Sequence, residues 1–310
     1  MNDFFTFAVL TTTVASGIAV ATPFLLAALG ETIGQRSGVL NLGVDGIMLL
    51  AAFVTYFIAL KTGDLFIAIL AGAATGTIMG VVTAIVSVKL KAEQGISGIG
   101  VYLFGLGFSA LLFTKLVGTP LPIATLQPVG IPLLDQIPVI GGMFFNQNLL
   151  VYLAFILVPV VTIMLNRTSY GLRIRAVGEN PAAADTLGVS VALIRWSTVM
   201  LGCTLAGLAG ASLLLYNGIF QVNLTQAAGF IAVALVYFGG WRPVGVMAGA
   251  LLYGLVGAVI LTWKSLGIIP LSASDLAATA PAIITVVALL FIARRFRQPA
   301  VLGRPYERGG

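Results

Sequence analysis

The chain has 310 residues, of which 59% are hydrophobic and only 8% are charged. Soluble domains carry about 25% charged residues, so lipid must be the solvent for much of this surface, and the sequence predicts an all-α polytopic membrane protein. The net charge of +6 indicates basic loops attracted to anionic lipid, and nucleic-acid binding is not expected because no aromatic-interleaved basic patch occurs.

Apolar runs separated by polar breaks predict about nine transmembrane segments, within a range of eight to ten, in a single membrane domain over residues 1–310. The runs are 8–29, 39–60, 65–88, 96–117, 149–166, 193–216, 228–240, 244–263 and 278–293. The first run lacks the basic start and cleavage site of a secretory signal, so we expect it to be retained. Residues 228–240 span only about 20 Å at 1.5 Å per residue, which predicts a short or re-entrant helix.

The Lys and Arg residues fall almost entirely in every second break, which predicts the membrane orientation. With the N-terminus outside, 13 of the 16 lie on the cytoplasmic side, and the C-terminus is cytoplasmic as well. The predicted inner set is Arg36, Lys89, Lys91, Arg167, Arg173, Arg175, Arg195, Arg242, Arg294, Arg295, Arg297, Arg304 and Arg308, and the outer set is Lys61, Lys115 and Lys264.

The second run carries a carboxylate, Asp45, which shares one helical stripe with Asn41 and Met48. A carboxylate within a membrane is costly and should face the bundle interior or water. Two interpretations stay open: Asp45 lines a translocation pathway, or it is a helix-start carboxylate bound by backbone N–H groups. The fourth run adds Tyr102 and Ser109 as pathway candidates, although close helix packing is the favoured explanation of its many glycines.

Two of the breaks are long. Residues 118–148 are rich in Pro and Gly and predict an ordered, turn-rich external loop without a helix. Residues 167–192 predict a cytoplasmic loop that contains a helix of about two turns, with Asn180 as N-cap, Pro181 in the first turn and Gly188 as the stop. A helix this short needs a surface to pack against.

The stretch 217–226 before the seventh run is rich in amides, including Asn217, Gln221 and Gln226. These side chains are able to hydrogen-bond a polar solute, and an ordinary polar outer loop explains them equally well. Catalysis is not expected, because the chain has no histidine, no G-x-S-x-G and no clustered carboxylates. No lysine follows a glycine, which excludes a P-loop. Cys203 is the single cysteine, so no intrachain disulfide forms.

Three segments together resemble bacterial ABC-importer permeases for nucleosides and simple sugars, within the ribose and branched-chain amino-acid permease group. They are Gly38–Gly46 (GVLNLGVDG), Tyr170–Pro181 (YGLRIRAVGENP) and Gly239–Gly245 (GGWRPVG). The resemblance extends in order over nearly the whole chain, and the second segment is its most specific part. The first segment and the Ile-Pro-rich outer loop resemble the nucleoside-type branch most closely. Asp45 departs from the Glu expected in many relatives, which preserves the charge but shortens its reach.

The resemblance implies a permease subunit that moves nucleosides or related small polar solutes across the bacterial plasma membrane and is not itself an enzyme. The implied partners are an ATPase subunit that holds ATP and Mg²⁺, a second permease in a heterodimer, an external solute-binding lipoprotein near residues 118–148, and membrane lipid. The helix 181–187 would be the coupling helix, seated on the ATPase. The implied coupling residues are Arg173, Arg175, Glu179, Asn180, Pro181, Ala183, Asp185, Leu187 and Gly188, and the pathway candidates are Asn41, Asp45, Met48, Tyr102 and Ser109.

Two other functions stay open at this level. A self-contained proton- or sodium-coupled secondary transporter would need ion-binding groups, and this chain has no histidine and few membrane carboxylates. A membrane scaffold without solute flux is the third possibility. Within the resembling importers, specificity resides largely in the binding protein, so the solute itself is not named by this chain.

Overall fold

The computed structural model describes residues 7–135, 137, 140–270, 273–292 and 297–307 and is almost entirely helical there. The elements are α1 (Phe7–Arg36), α2 (Val44–Thr62), α3 (Leu65–Ala84, continued by a π-turn at Ile85–Lys89), α4 (Gln94–Leu116), β1 (Val129–Gly130), α5 (Ile140–Phe144), β2 (Asn146–Gln147), α6 (Leu149–Arg167), α7 (Ser169–Glu179), α8 (Pro181–Thr186), α9 (Val191–Asn217), α10 (Ala228–Phe238), α11 (Pro243–Ser265) and α12 (Ser274–Ile292). The predicted all-α class is confirmed.

Within these ranges, every predicted apolar run overlaps a helix, and seven helices are long and apolar enough to cross a membrane. The remaining two runs, 228–240 and 278–293, overlap the shorter apolar stretches 228–238 and 276–287. Helix α10 is only about 16 Å long at 1.5 Å per residue, so it cannot cross a hydrocarbon core of about 30 Å by itself. The predicted short seventh segment is therefore confirmed, while the exact number of crossings and the orientation stay predictions.

Three local predictions need correction. The loop 118–148 was expected to contain no helix, yet it holds α5 and a two-residue antiparallel pair between β1 and β2. The second span was expected to begin at residue 39, but α2 begins at Val44, because the Asn41 side chain accepts the Gly43 N–H at 2.9 Å and holds a turn. The segment before α8 was treated as a loop and is helix α7, whose buried face includes Ile174 and Val177.

The core is built around α1 and α9. Helix α9 packs against α1, α2 and α3, and α11 packs against α1. Glycines permit this close approach, since a Cβ on Gly202 of α9 would lie 2.9 Å from the Gly30 carbonyl oxygen of α1. The faces of α3 and α4 that point away from the bundle are apolar and exposed, as expected of surfaces that contact lipid.

The connecting segments gather at the two ends of the bundle. Hydrogen bonds join Arg36 to Trp241 and the Leu40 amide to Gln94, and the Val301 amide donates to the Gly178 carbonyl. We call this the α8 end, because α7 and α8 lie there. The loop after α4 and the segment after α9 meet at the opposite end, where the Ile123 amide donates to the Gly218 carbonyl.

Candidate functional site

A cavity of about 390 Å³ lies among α1, α9, α10, α11 and α12, in the half of the bundle nearer the opposite end. We call it the amide-lined cavity. Its polar wall includes Asn217, Gln221, Thr225 and Gln226, and its aromatic wall includes Phe24, Tyr216 and Tyr253. Among the described residues, no charged side chain lines it. The Phe24 and Tyr253 rings pack with centroids 4.5 Å apart.

The segment between α9 and α10 forms the polar wall and has a strained backbone. Helix α9 ends at Gly218 in the left-handed conformation, and three non-glycine residues follow with positive φ, namely Asn223 (64°), Gln226 (44°) and Ala227 (67°). Residues other than glycine rarely have a positive φ, because the Cβ then crowds the backbone. Several such residues in one segment raise the free energy of the folded chain, and they tend to occur at functional sites. The exposed amides of Gln221 and Gln226 are thereby held at the cavity.

Asp45 supports this wall from behind. Its side chain is fully buried and accepts the Thr225 hydroxyl at 2.9 Å and the Gly229 backbone N–H at 2.8 Å. Asp45 lies in the first turn of α2 and Gly229 in the first turn of α10, so one carboxylate meets the positive ends of two helices. Gly229 is required there, because a Cβ would overlap the Asp45 backbone. The carboxylate therefore fixes where α10 begins.

Helix α8 presents an apolar side chain outward. The Asn180 side chain caps it by accepting the Ala183 N–H at 3.0 Å, Pro181 occupies the first turn, and Gly188 follows with φ 84°. The predicted helix and both of its end signals are confirmed. Pro181 and Ala184 form the buried face of this helix, whereas Leu187, directly after it, is 84% exposed.

Exposed apolar side chains also occur on α7 and α9, the helices before and after α8. Leu172 of α7 is 61% exposed and Leu193 of α9 is 67% exposed. Together with Ala183 and Leu187 they form what we call the docking surface. Of the charged coupling candidates, Arg173 and Glu179 are exposed, and Arg175 and Asp185 are partly buried.

The comparisons with known proteins place this architecture in a family. The family of permease components of the branched-chain amino acid transport system matches residues 13–293. The chain belongs to this family. The nucleoside ABC transporter permease protein NupC of Lactococcus lactis subsp. cremoris is 33% identical, over 91% of this chain and 92% of that protein. The guanosine ABC transporter permease protein NupQ of Bacillus subtilis is 31% identical, over 97% and 98%.

A putative glucose ABC transporter permease protein, TsgC13 of Haloferax volcanii, is 40% identical over 81% of this chain and 77% of that protein. No solved structure matches this chain. The permease is thus a multi-pass plasma-membrane subunit of an ABC importer and not an enzyme, as the resemblance implied. Membership of the family implies an ATPase subunit and a solute-binding protein as its partners.

The pathway candidates of the permease occupy several different environments. Asn41 is buried before α2, and its Nδ2 donates to the Cys203 sulfur at 3.5 Å. Met48 is fully buried in the core, and the Ser109 hydroxyl donates to a carbonyl of its own helix. The Tyr102 ring packs edge-on against the Phe230 ring of α10, with the ring centroids 5.2 Å apart. Like Asp45, these residues lie on α2, just before it or on α4, and none of them lines the amide-lined cavity. Their pathway role therefore stays a prediction.

A buried polar network near the α8 end was missed by the sequence reasoning. Glu31 is 3% exposed and accepts the Gln35 amide at 3.1 Å, and the Gln35 oxygen accepts the indole N–H of Trp241 at 2.9 Å. The first run was expected to end at residue 29, which placed Glu31 outside it, whereas α1 continues to Arg36. A spacing of four residues between Glu31 and Gln35 was the available signal, because it puts both side chains on one helix face.

Proposed function

We propose that the permease imports nucleosides and that the amide-lined cavity receives the solute. The uncharged lining carries the argument: amides and hydroxyls suit the ribose and the base edges, and aromatic rings suit the base. A zwitterionic amino acid would bring two charges into a cavity that offers them no charged partner, which is unfavourable. The names of two relatives that align over most of both chains, for nucleoside and for guanosine transport, support the same solute class.

In this proposal the α8 end faces the cytoplasm and the opposite end faces outward. The basic residues collected at the α8 end support that orientation. A solute-binding lipoprotein would deliver solute at the opposite end, near residues 118–148, and a second permease would complete the pathway. ATP and Mg²⁺ would be held by the ATPase. Family membership argues against the alternative of a self-contained ion-coupled transporter.

Coupling in this proposal runs through the docking surface. Leu187 is the anchor, because an apolar side chain that is 84% exposed on a capped helix has no partner among its described neighbours that would bury it. Arg173 and Arg175 would pair with acidic groups of the ATPase around this apolar centre. Glu179, Asn180, Pro181, Ala183, Asp185 and Gly188 would shape the coupling helix and its ends.

The solute proposal is tested by competition and by replacing the cavity amides. Gln221→Leu and Gln226→Leu each remove an amide, and we expect uptake of labelled guanosine in proteoliposomes to fall about tenfold or more for the double variant, since hydrogen bonds to a solute are lost. Gln127→Leu, an exposed amide at the same end but outside the cavity, serves as the control. Unchanged uptake in the double variant, or competition by leucine rather than by nucleosides, would contradict the proposal.

The coupling proposal is tested separately. Leu187→Glu puts a charge into the expected apolar contact, and we expect loss of ATPase co-purification and of uptake. Leu187→Met conserves apolar volume and should keep both. If Leu187→Glu retains the ATPase and transports normally, the docking surface lies elsewhere, whatever the solute is.

A further inference from the structure

Two of the helices around the amide-lined cavity contain a proline, Pro23 in α1 and Pro281 in α12, and both prolines line the cavity. Ala19, four residues before Pro23, lines it as well, together with Val20 and Phe24. Residues at i, i+1, i+4 and i+5 share one face of a helix. This face of α1 therefore forms one wall of the cavity.

Pro23 takes away the usual partner of the Ala19 carbonyl. In an α-helix the carbonyl of residue i accepts the N–H of residue i+4, and proline has no N–H. Thr22 bears the only side-chain hydroxyl between the two residues, and this hydroxyl donates to the Ile18 carbonyl at 2.9 Å. The Ala19 oxygen is thus released from the helix on the face that lines the cavity.

The released carbonyl lies deep in a membrane-length helix. Ala19 is about 18 Å along the axis from the first residue of α1, at 1.5 Å per residue. A backbone polar group without a partner at that depth is costly, and proline is tolerated in spanning helices where another group or a water-filled cavity supplies the partner. The amide-lined cavity therefore offers a backbone acceptor in addition to its polar side chains.

This acceptor lies next to the aromatic wall. Phe24 follows Ala19 on the same face of α1, about 7.5 Å further along the axis. Its ring packs against the Tyr253 ring, with the centroids 4.5 Å apart. A base packed on these two rings would extend along α1 toward the Ala19 oxygen. Because a carbonyl only accepts hydrogen bonds, it would distinguish a base that carries N–H donors from one that carries none.

We propose that the Ala19 carbonyl determines specificity by accepting a hydrogen bond from an N–H group on the base of the solute. The inference rests on the proposed nucleoside function and names the part of the nucleoside that is recognised. Guanosine carries adjacent N1–H and amino donors on its base, whereas the base of purine riboside carries none. The side-chain amides of Gln221 and Gln226 both donate and accept, so they do not select for donors as a carbonyl does.

The test restores the missing N–H. Pro23→Ala and Pro23→Val both supply an N–H at position 23 that competes for the Ala19 carbonyl, and they differ in volume. Replacing a proline inside a helix favours the helix, so both variants should fold. The full permease is reconstituted in proteoliposomes with its partner subunits, and the uptake rates of labelled guanosine and labelled purine riboside are compared as a ratio. One binding protein serves every variant, so its own preference cancels between them.

We expect both Pro23 variants to lower the ratio of guanosine to purine riboside uptake about two- to tenfold, the range for one neutral hydrogen bond. Two controls should keep the ratio. Pro159→Ala removes a proline from α6, outside the cavity. Gly257→Ala adds a methyl group to the cavity wall without a donor or acceptor, at 3.9 Å from the Val20 side chain and 4.0 Å from the Pro281 ring.

The ratio separates recognition from a structural effect, which would change the uptake of both solutes alike. A ratio that both Pro23 variants leave unchanged overturns this inference alone, because guanosine uptake still supports the proposed function. A ratio lowered by Pro23→Ala but not by Pro23→Val, or lowered equally by the controls, also overturns it, since volume or helix shape would then be the cause. If the unmodified complex takes up neither nucleoside, the proposed function fails and this inference fails with it.

Discussion

Asp45 offers a direct test of whether a buried carboxylate serves transport or structure. The structure gives it two donors, the Thr225 hydroxyl and the Gly229 N–H, and no described cation forms an ion pair with it. Its surroundings therefore match the helix-start interpretation, with one difference. The N–H group comes from Gly229 of α10 and the hydroxyl from Thr225 in the segment before it, rather than from α2 itself.

The expected magnitudes follow from those two bonds. Asp45→Ala leaves both donors buried without an acceptor, at about 1–3 kcal/mol each, so the free energy of unfolding should fall by about 2–6 kcal/mol. Asp45→Asn keeps an oxygen for the Gly229 N–H, and its NH₂ group is able to donate to the Thr225 oxygen. Replacing two charge-assisted bonds by neutral ones costs about 1 kcal/mol each, or about 2 kcal/mol in total.

Thermal unfolding of the purified complex and solute uptake in proteoliposomes measure the two effects. We expect the unfolding temperature of Asp45→Asn to lie between those of the unmodified protein and of Asp45→Ala. We also expect Asp45→Asn to retain most of the solute uptake. Thr114→Ala, which removes an exposed hydroxyl bonded within its own helix, is the control for a small change. Loss of uptake in Asp45→Asn at unchanged thermal stability would refute the structural reasoning, because the charge itself would then be required for transport.

The remaining predictions concern backbone contact, capping and a buried hydrogen bond. Gly229→Ala forces a Cβ into the backbone of α2 and should abolish the folded protein in membrane fractions, whereas Gly107→Ala meets no atom within 4 Å and should be neutral or stabilising by about 0.5–1 kcal/mol in thermal unfolding. The first amides of α4 donate to Glu93 and lower the pKa of this exposed carboxyl, so its contribution to stability is present above the unfolded-state pKa and is lost as the pH falls through the folded-state pKa. An acid titration of thermal stability should show this loss, and Glu93→Gln should lack it. Trp241→Phe leaves the buried Gln35 oxygen without its donor, so the free energy of unfolding should fall by about 1–3 kcal/mol. The same substitution should lower the amount of solute moved per ATP hydrolysed.

The features that the sequence predicted well are those encoded by neighbouring residues. Helix α8 is the clearest case, because Asn180, Pro181 and Gly188 carry its start and stop within nine positions, and each of them acts locally as expected. The apolar runs predicted the membrane-length helices equally well, since the length and hydrophobicity of a run follow directly from its own residues. The alternation of basic breaks also depends on composition alone, and the membrane orientation that it indicates stays a prediction.

The features that were missed depend on contacts between distant segments. The apolar residues 39–42 favoured an early start of α2, and the turn held by Asn41 overrides them. Nothing near Asp45 in sequence indicates that its partners lie at 225 and 229. The amide stretch 217–226 was left undecided between a loop and a solute site, because the aromatic residues that complete the cavity come from α1 and α11.

The position of α10 explains why a single indole should affect coupling. Its first turn is fixed by Asp45 beside the amide-lined cavity, and the chain after its last turn presents Trp241 to the end of α1. There the indole donates to Gln35, and the Trp241 carbonyl accepts the Arg36 Nε at 2.9 Å. A short rigid helix thus has one end at the cavity wall and the other at the α8 end.

The next contact leads to α8, the proposed coupling helix. Gly178 of α7 lies directly on the Arg36 carbonyl, since a Cβ there would overlap it, and Asn180 two residues later caps α8. Because a packed interior shifts as connected rigid pieces, movement of α8 by the ATPase should reach α10 through Arg36 and Trp241. Trp241→Phe removes one of the two hydrogen bonds at that junction. ATPase activity that persists while solute flux falls is the expected signature, and equal losses of both would show that the junction only stabilises the fold.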